Sequence, residues 1–270
     1  MALQSSGAIS LQDIATEFGG STPHSISEYY GVASGVPSSG TIDFADFYGT
    51  SSGIPQSGLL MEMDPANYSS GSTWNDSAGT NNDMTKVGSP SYTSTSPEYF
   101  TTSDNNHWSV NTRPTGSYGA ATMACWIYPT STSGISGLID IRYGSGTQFG
   151  MEDQGGRLGY FWNNNNSGTW GHNSGVTWST NAWIFVGISV SSTQIYFFRY
   201  NSSGLSSSTR TYTHSSQTIA SNSNFYYGGD PESSGRGFNG RVGHMYLYNT
   251  ALSTSQVTSL YNAEKSTYGH

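Results

Sequence analysis

The sequence predicts an all-β sandwich or jelly roll preceded by an arm of short capped helices. Three observations predict it. Beyond residue 58 nearly every apolar segment has the length and the two-residue period of a strand. Clusters of Asn, Ser and Gly separate those segments as turns do. Residues 1–50 write one helix-starting pattern three times.

The arm comes first. Its pattern reads Ile9-Ser10-Leu11-Gln12-Asp13-Ile14, His24-Ser25-Ile26-Ser27-Glu28-Tyr29 and Ile42-Asp43-Phe44-Ala45-Asp46-Phe47. Each copy opens on a capping residue (Ser10, Ser25, Asp43) with an acid three positions later (Asp13, Glu28, Asp46). Cap and acid satisfy the free N–H groups of a first helical turn. Ile9/Ile14 and Ile42/Phe47 fit a hydrophobic staple, and His24/Tyr29 fits one poorly. Gly19, Gly31 and Gly49 follow as stops. Helices this short are marginal alone, so the arm is expected to order against a partner chain or a copy of itself. The expected docking residues are Ile9, Ile14, Phe18, Tyr29, Tyr30, Ile42, Phe47 and Tyr48.

Residues 51–57 form a Ser/Gly/Pro linker, 58–265 the jelly roll and 266–270 a flexible tail. Within the jelly roll Met123, Cys125 and Ile127 alternate with Thr122, Ala124 and Trp126. Ile184, Val186, Ile188 and Val190 alternate in the same way, as do Tyr196, Phe198 and Tyr200, and Gly243, Met245 and Leu247. Leu138 to Tyr143, Leu158 to Trp162 and Asn224 to Tyr227 are further strands. One helix closes the chain: Ser253 caps it, Gln256 stands at its third position, and Val257, Leu260 and Tyr261 share a face. It is expected to cover an end or edge of the sandwich.

Composition narrows the function. Charged residues are 10% of the chain, against ~25% in ordinary soluble proteins, so Ser, Thr, Asn and Gly must supply the polar surface. That balance is common in extracellular and virion β proteins. Aromatic residues are 14%, too many core-formers for disorder. The net charge is −8 with 9 Lys+Arg and no basic cluster, which argues against nucleic-acid binding through phosphates. Cys125 is the single cysteine, so no intramolecular disulfide forms, and its apolar setting reads as a buried thiol. Met1 to Gln4 lacks the features of a signal peptide, and no apolar run reaches the ~20 residues of a membrane span. An exterior composition without an export signal fits a particle assembled in a host cytoplasm.

The ordered stations of the chain resemble the concanavalin A-like, laminin-G-type jelly roll. Leu60-Met61-Glu62-Met63-Asp64 resembles its opening strand, and Ser72-Thr73-Trp74-Asn75-Asp76-Ser77-Ala78-Gly79 its W-x-D-x-S-G hairpin with Ala78 inserted. Tyr99 to Trp108 resembles its strand and acidic turn. Met123 to Pro129 and Asn181 to Gly187 resemble two of its central strands, and Phe238 to Ser253 its C-terminal one. The arm, through Ser10 to Gly20 and Ser25 to Tyr30, is similar to leaders on structural proteins of tailed bacteriophages, especially marine and cyanobacterial ones. These resemblances imply a non-enzymatic virion structural protein on the particle exterior. It would be an appendage or tail-fibre-type adhesin or adaptor, or alternatively a capsid decoration or neck protein. The implied partners are other virion proteins through residues 1–50, further copies of the chain as a homo-oligomer, and host surface polysaccharide, with neither nucleic acid nor membrane.

Three kinds of site follow. Glucanases of this class carry E-x-D-x-E on one strand, which puts the carboxylates on one face. Glu62-Met63-Asp64-Pro65-Ala66 lacks the second glutamate, Asp140-Ile141-Arg142 has none, and Glu152-Asp153 points to opposite faces, so catalysis is not expected. Sugar binding needs aromatic faces and amides. Trp170, His172, Asn163 and Asn165 concentrate them in one connection, with Tyr227 in a second cluster beside Tyr226, while Trp162 and Trp178 read as packing. Calcium takes oxygen ligands. Asp104 and Asn105 stand at the family's acidic turn but lack its second acid, leaving calcium a weak candidate and no other cofactor. Asp76 and Asn82 read as hairpin caps.

Overall fold

The computed structural model describes residues 3–18, 22–33, 36–37, 39–50, 53–110, 113–143, 146–162, 174–230 and 235–270. The chain divides into two compact units, one formed by Met1–Gly58 with Leu252–His270 and one by Leu59–Ala251.

The first unit is helical. Helix α1 spans Leu11–Phe18, and Ile26–Tyr29 and Phe44–Phe47 are single 3-10 turns. All three expected capping boxes are present. In the first, the Ser10 N–H donates to Asp13 Oδ2 at 2.8 Å and the Asp13 N–H to Ser10 Oγ at 3.1 Å; the other two pair Ser25 with Glu28 and Asp43 with Asp46. Gly31 and Gly49 end their turns at φ of 66° and 68°, where a side chain would be strained.

These helices make their own core, which corrects the docking expectation. Ile14, Phe18, Tyr29 and Phe47 are each 0% exposed. Phe47 meets Phe18 and Tyr29 edge-on with ring centroids 6.0 and 6.2 Å apart, and Ile9 and Ile42 pack onto the cluster. One turn cannot bury a large ring alone, but three turns facing one another can. Tyr30 is half-buried, its hydroxyl donating to the Gly40 carbonyl. Of the expected docking residues Tyr48 is openly exposed, at 37%, and Phe44, which the sequence reading missed, is 42% exposed on the same turn.

Helix α2, Thr254–Glu264, carries the expected Ser253–Gln256 capping box. It belongs to this unit rather than to the jelly roll, so the 58–265 boundary is corrected to Leu59–Ala251. Asn262 Nδ2 donates to the Glu17 carbonyl at 2.8 Å, which ties α2 to the end of α1. Nor is 266–270 a loose tail: the His270 N–H donates to the Lys265 carbonyl at 2.8 Å, and Tyr268 is buried.

The second unit is all strand. In order these are β1 Leu59–Met63, β2 Thr73–Trp74, β3 Met84–Val87, β4 Ser91–Thr93, β5 Tyr99–Thr102, β6 His107–Val110, β7 Gly116–Tyr118, β8 Ala121–Pro129 and β9 Ile135–Tyr143. There follow β10 Gly146–Gln154, β11 Leu158–Trp162, β12 Ile184–Val190, β13 Gln194–Asn201, β14 Gly204–Thr211, β15 Gln217–Ile219, β16 Asn224–Tyr227 and β17 Gly240–Tyr248. One sheet runs β14-β13-β12-β8-β17-β5-β4, with β1 paired to β17. A seven-stranded sheet runs β11-β10-β9-β16-β6-β3-β2, and β15 pairs with β7. Every named pairing is antiparallel, as a jelly roll requires.

Alternation puts the core where the sequence placed it. Met123, Cys125 and Ile127 of β8, Val186 and Ile188 of β12, and Ile139 and Ile141 of β9 join one cluster with Trp74, Trp108 and Tyr227. Burial pushes the Cys125 thiol far above its usual pKa, so it stays protonated and inert. Trp126 has the opposite parity, outside that cluster, and lies against Phe185 at 5.3 Å. Asp76 is the hairpin cap expected: its carboxylate accepts from the backbone N–H groups of Glu62, Ala78, Thr80 and Asn82. No described helix is long and apolar enough to cross a membrane.

Candidate functional site: the outward face of the seven-stranded sheet

Register aligns one row of residues across this sheet. Thr85 on β3 stands opposite Ser109 on β6, Ser109 opposite Tyr226 on β16, and Tyr226 opposite Asp140 on β9. Asp140 then faces Gly150 on β10, and Gly150 faces Phe161 on β11. Their neighbours Met84, Trp108, Tyr227, Ile139, Met151 and Tyr160 point into the core, so the row points away from it.

The row has two halves. Thr85, Ser109, Tyr226 and the nearby Asn224 are half-exposed. They present hydroxyls, an amide and one aromatic ring, and Tyr226 is braced by the His107 ring at 5.6 Å. Burial lowers the His107 pKa, so that ring is neutral at pH 7. The other half is closed. Asp140 is 0% exposed, Phe161 and Glu152 are 1%, and a Cβ on Gly150 would meet the Phe161 ring at 2.4 Å, so only glycine lets that ring lie down.

Charge is concentrated under the closed half. Arg142 Nη2 lies 2.6 Å from Asp230 Oδ2 and 3.3 Å from Asp140 Oδ2, and Arg236 Nη1 is 3.5 Å from Asp230 Oδ2. The Glu152 carboxylate accepts from Gln154 Nε2 at 3.1 Å. Burial pushes the Asp140 pKa well up, opposed by Arg142. Glu152 is raised for the same reason, with Gln154 opposing. Asp153 is pushed up to about 6 by burial, against the Gly156 N–H that donates to it at 2.7 Å.

Asp230 belongs to the segment between β16 and β17, and that segment is pinned. Asp104 Oδ1 accepts from the N–H groups of Gly235 and Gly237 at 2.8 and 3.0 Å. A Cβ on Gly237 would meet Asp104 Cα at 2.1 Å, so the approach requires glycine. The Asp104 carboxylate thus serves backbone donors, and among the described residues no three His, Cys, Asp or Glu side chains come together.

Trp170, His172, Asn163 and Asn165 lie outside the described residues. Tyr227 is corrected: it is 0% exposed, with its hydroxyl donating to the Gly243 carbonyl at 3.1 Å. Strand parity decides between the two tyrosines, and it turns Tyr226 outward instead. Trp162 is buried as expected and Trp178 packs partly buried against the core. The sequence reading treated Asp140 and Glu152 separately, yet β9 and β10 are adjacent and their charges interact. Charged residues at alternate positions of an apolar strand, Asp140 and Arg142, were the available signal.

As chemistry, the closed half holds two raised carboxylates, the ingredient of a glycoside hydrolase. Both are sealed from solvent, and Asp140 is held by Arg142. The open half offers stacking and hydrogen bonds only.

A laminin-G profile described as the concanavalin A-like lectin/glucanases superfamily matches residues 101–258. No curated protein sequence matches the chain. Among solved structures, it is similar to the Trypanosoma rangeli sialidase in complex with sialic acid. There the identity is 16% and the TM-score 0.55, over 82% of this chain and 35% of that one. It is also similar to the binding domain of botulinum neurotoxin DC in complex with SialylT. That match has 14% identity and a TM-score of 0.57, over 77% of this chain and 52% of that one. The chain thus spans between a third and about half of the length of these structures.

Proposed function

This chain belongs to the concanavalin A-like lectin/glucanases superfamily, and we propose that it is a non-enzymatic, glycan-binding structural protein of a bacteriophage particle. The observation that carries the glycan reading is the open strip of Thr85, Ser109, Tyr226 and Asn224. An aromatic face takes the C–H side of a sugar ring, and hydroxyls and an amide pair with its hydroxyl groups. Next to that strip every carboxylate on the row is sealed or ion-paired, so the face binds without cleaving. The sialic acid complex of the sialidase and the SialylT complex of the neurotoxin domain support a sugar as the ligand class.

The virion reading rests on the low charge of the surface and on the resemblance of the arm. In that role the protein is displayed outside the particle as an adhesin or adaptor. Phe44 and Tyr48, rather than the buried rings behind them, are its contacts with other virion proteins.

A glycan array probed with the parent chain and with Tyr226→Ala tests the binding half. Binding by the parent that falls about tenfold in the variant, equal to ~1.4 kcal/mol, supports it. Equal binding by both overturns the placement. Release of reducing sugar that is abolished by Glu152→Gln overturns the non-enzymatic reading. Absence of the chain from purified particles overturns the virion half.

A further inference from the structure

A second cluster stands on the outward face of the other sheet. Arg241 on β17 is opposite Tyr128 on β8 and Thr101 on β5. Ile184 of β12 pairs with Ile127, which sets Trp183 beside Tyr128. Ile127, Val242 and Phe100, the neighbours of this row, are core residues, so alternation turns Tyr128, Arg241 and Tyr99 outward. The guanidinium carbon lies 4.4 Å from the Tyr128 ring centre and 4.7 Å from that of Tyr99. Trp183 stands edge-on to both tyrosines, with centroids 5.6 and 5.8 Å away. All four side chains are half-exposed, fixed by one another and still reachable.

The setting of Arg241 differs from that of Arg142 and Arg236. The chain carries 17 acids and 9 basic residues, yet among the described residues no carboxylate comes to this guanidinium. Arg142 and Arg236 both stand on Asp230; the contacts of Arg241 are ring faces. A half-exposed guanidinium whose contacts are rings rather than carboxylates keeps N–H donors for a ligand, and its fork matches a carboxylate with two parallel hydrogen bonds. The surrounding aromatic faces suit the C–H side of a sugar.

We propose that Tyr99, Tyr128, Trp183 and Arg241 form a second sugar platform, selective for a carboxylate-bearing sugar residue. Arg241 receives the carboxylate, and the three rings receive the pyranose. This site is separate from the strip around Tyr226 and stands or falls independently of it.

The test is calorimetric titration of the full chain with trigalacturonate, with its neutral methyl ester and with sialyllactose. The parent is expected to bind the free acid at least about tenfold more tightly than the ester. Arg241→Met, which keeps the stem and loses the fork, should erase that preference. Whether trigalacturonate or sialyllactose shows the Arg241 dependence assigns the source of the carboxylate. Equal binding of acid and ester by the parent, or no binding of any of the three, overturns the proposal. So does loss of the preference in Tyr226→Ala but not in Arg241→Met, which places acid recognition on the other sheet. If Arg241→Met does not fold, Arg241→Lys replaces it. Loss of about tenfold there supports the fork, and unchanged affinity overturns it.

Discussion

On the seven-stranded sheet, Arg142 is 5% exposed and touches two carboxylates; on the other sheet, Arg241 is half-exposed and touches two rings. Both stand on outward faces of one jelly roll. The difference lies in what each is for. Arg142 neutralises acids that the fold has taken out of water, and it fastens the segment carrying Asp230 to the sheet. Its Nη2 is committed to Asp140 and Asp230 inside the molecule. Arg241 is held in place without being neutralised, so its capacity is left for something else. Exposure and partner chemistry together, rather than residue type, separate a structural arginine from a receptive one.

The comparison can be broken most sharply at the two arginines. Arg142→Met should cost ~3–5 kcal/mol, because it leaves Asp140 buried without its counter-charge and Asp230 with Arg236 alone. Arg241→Met should cost about 1 kcal/mol or less, since its charge is solvated and only ring contacts are lost. Urea denaturation of both variants beside the parent measures this, and equal costs would erase the distinction.

The next contrast is between adjacent tyrosines on β16. Tyr227→Ala should cost ~3–5 kcal/mol as a core cavity, and Tyr226→Ala about 1 kcal/mol or less. Thermal melts read both. If Tyr226→Ala melts as early as Tyr227→Ala, the outward strip is core and not a surface.

Acidity sharpens the picture of the sealed half. Asp153 has its folded pKa raised to about 6, above its value in an unfolded chain, so folding favours its protonated form. The cost of its burial is full above pH 6 and disappears as the pH falls through 6 toward 4. Asp140 and Glu152 are raised as well and act in the same direction. The jelly roll should therefore gain stability between pH 7.5 and 5, by about 1–1.5 kcal/mol from Asp153. Asp153→Asn should flatten that slope in a denaturation series. The smallest effect belongs to the helical unit: Phe44→Ser should change stability by within about 0.5 kcal/mol while reducing incorporation into particles, measured by mass spectrometry.

Local features were legible in the sequence. The capping boxes at Ser10, Ser25, Asp43 and Ser253 depend on neighbours three residues apart. The strands at Leu158–Trp162 and Asn224–Tyr227 depend on a two-residue alternation, and both appear with the expected bounds. The family stations were legible because each packs a fixed turn or strand. What the sequence concealed is lateral. Arg142 and Asp230 are 88 positions apart, and Tyr99, Tyr128, Trp183 and Arg241 come from four segments that only strand order brings together. Nor did patterning show that the arm would close on itself, since the apolar positions that suit docking to a partner equally suit packing against one another.

The helical unit is discontinuous: its first part precedes the jelly roll and its last part follows it. The jelly roll is thus an inserted cassette, and Leu59 pairs with Tyr248, so entry and exit leave it side by side. During synthesis residues 1–58 emerge before the jelly roll, yet Glu17 receives its bond only once Asn262, beyond the jelly roll, has been made. The inserted domain has every strand in hand before then. Completion of the helical unit therefore requires that the inserted domain has already been made. The same layout gives recombination a ready boundary. A replacement for residues 59–251 would need ends that lie side by side as Leu59 and Tyr248 do.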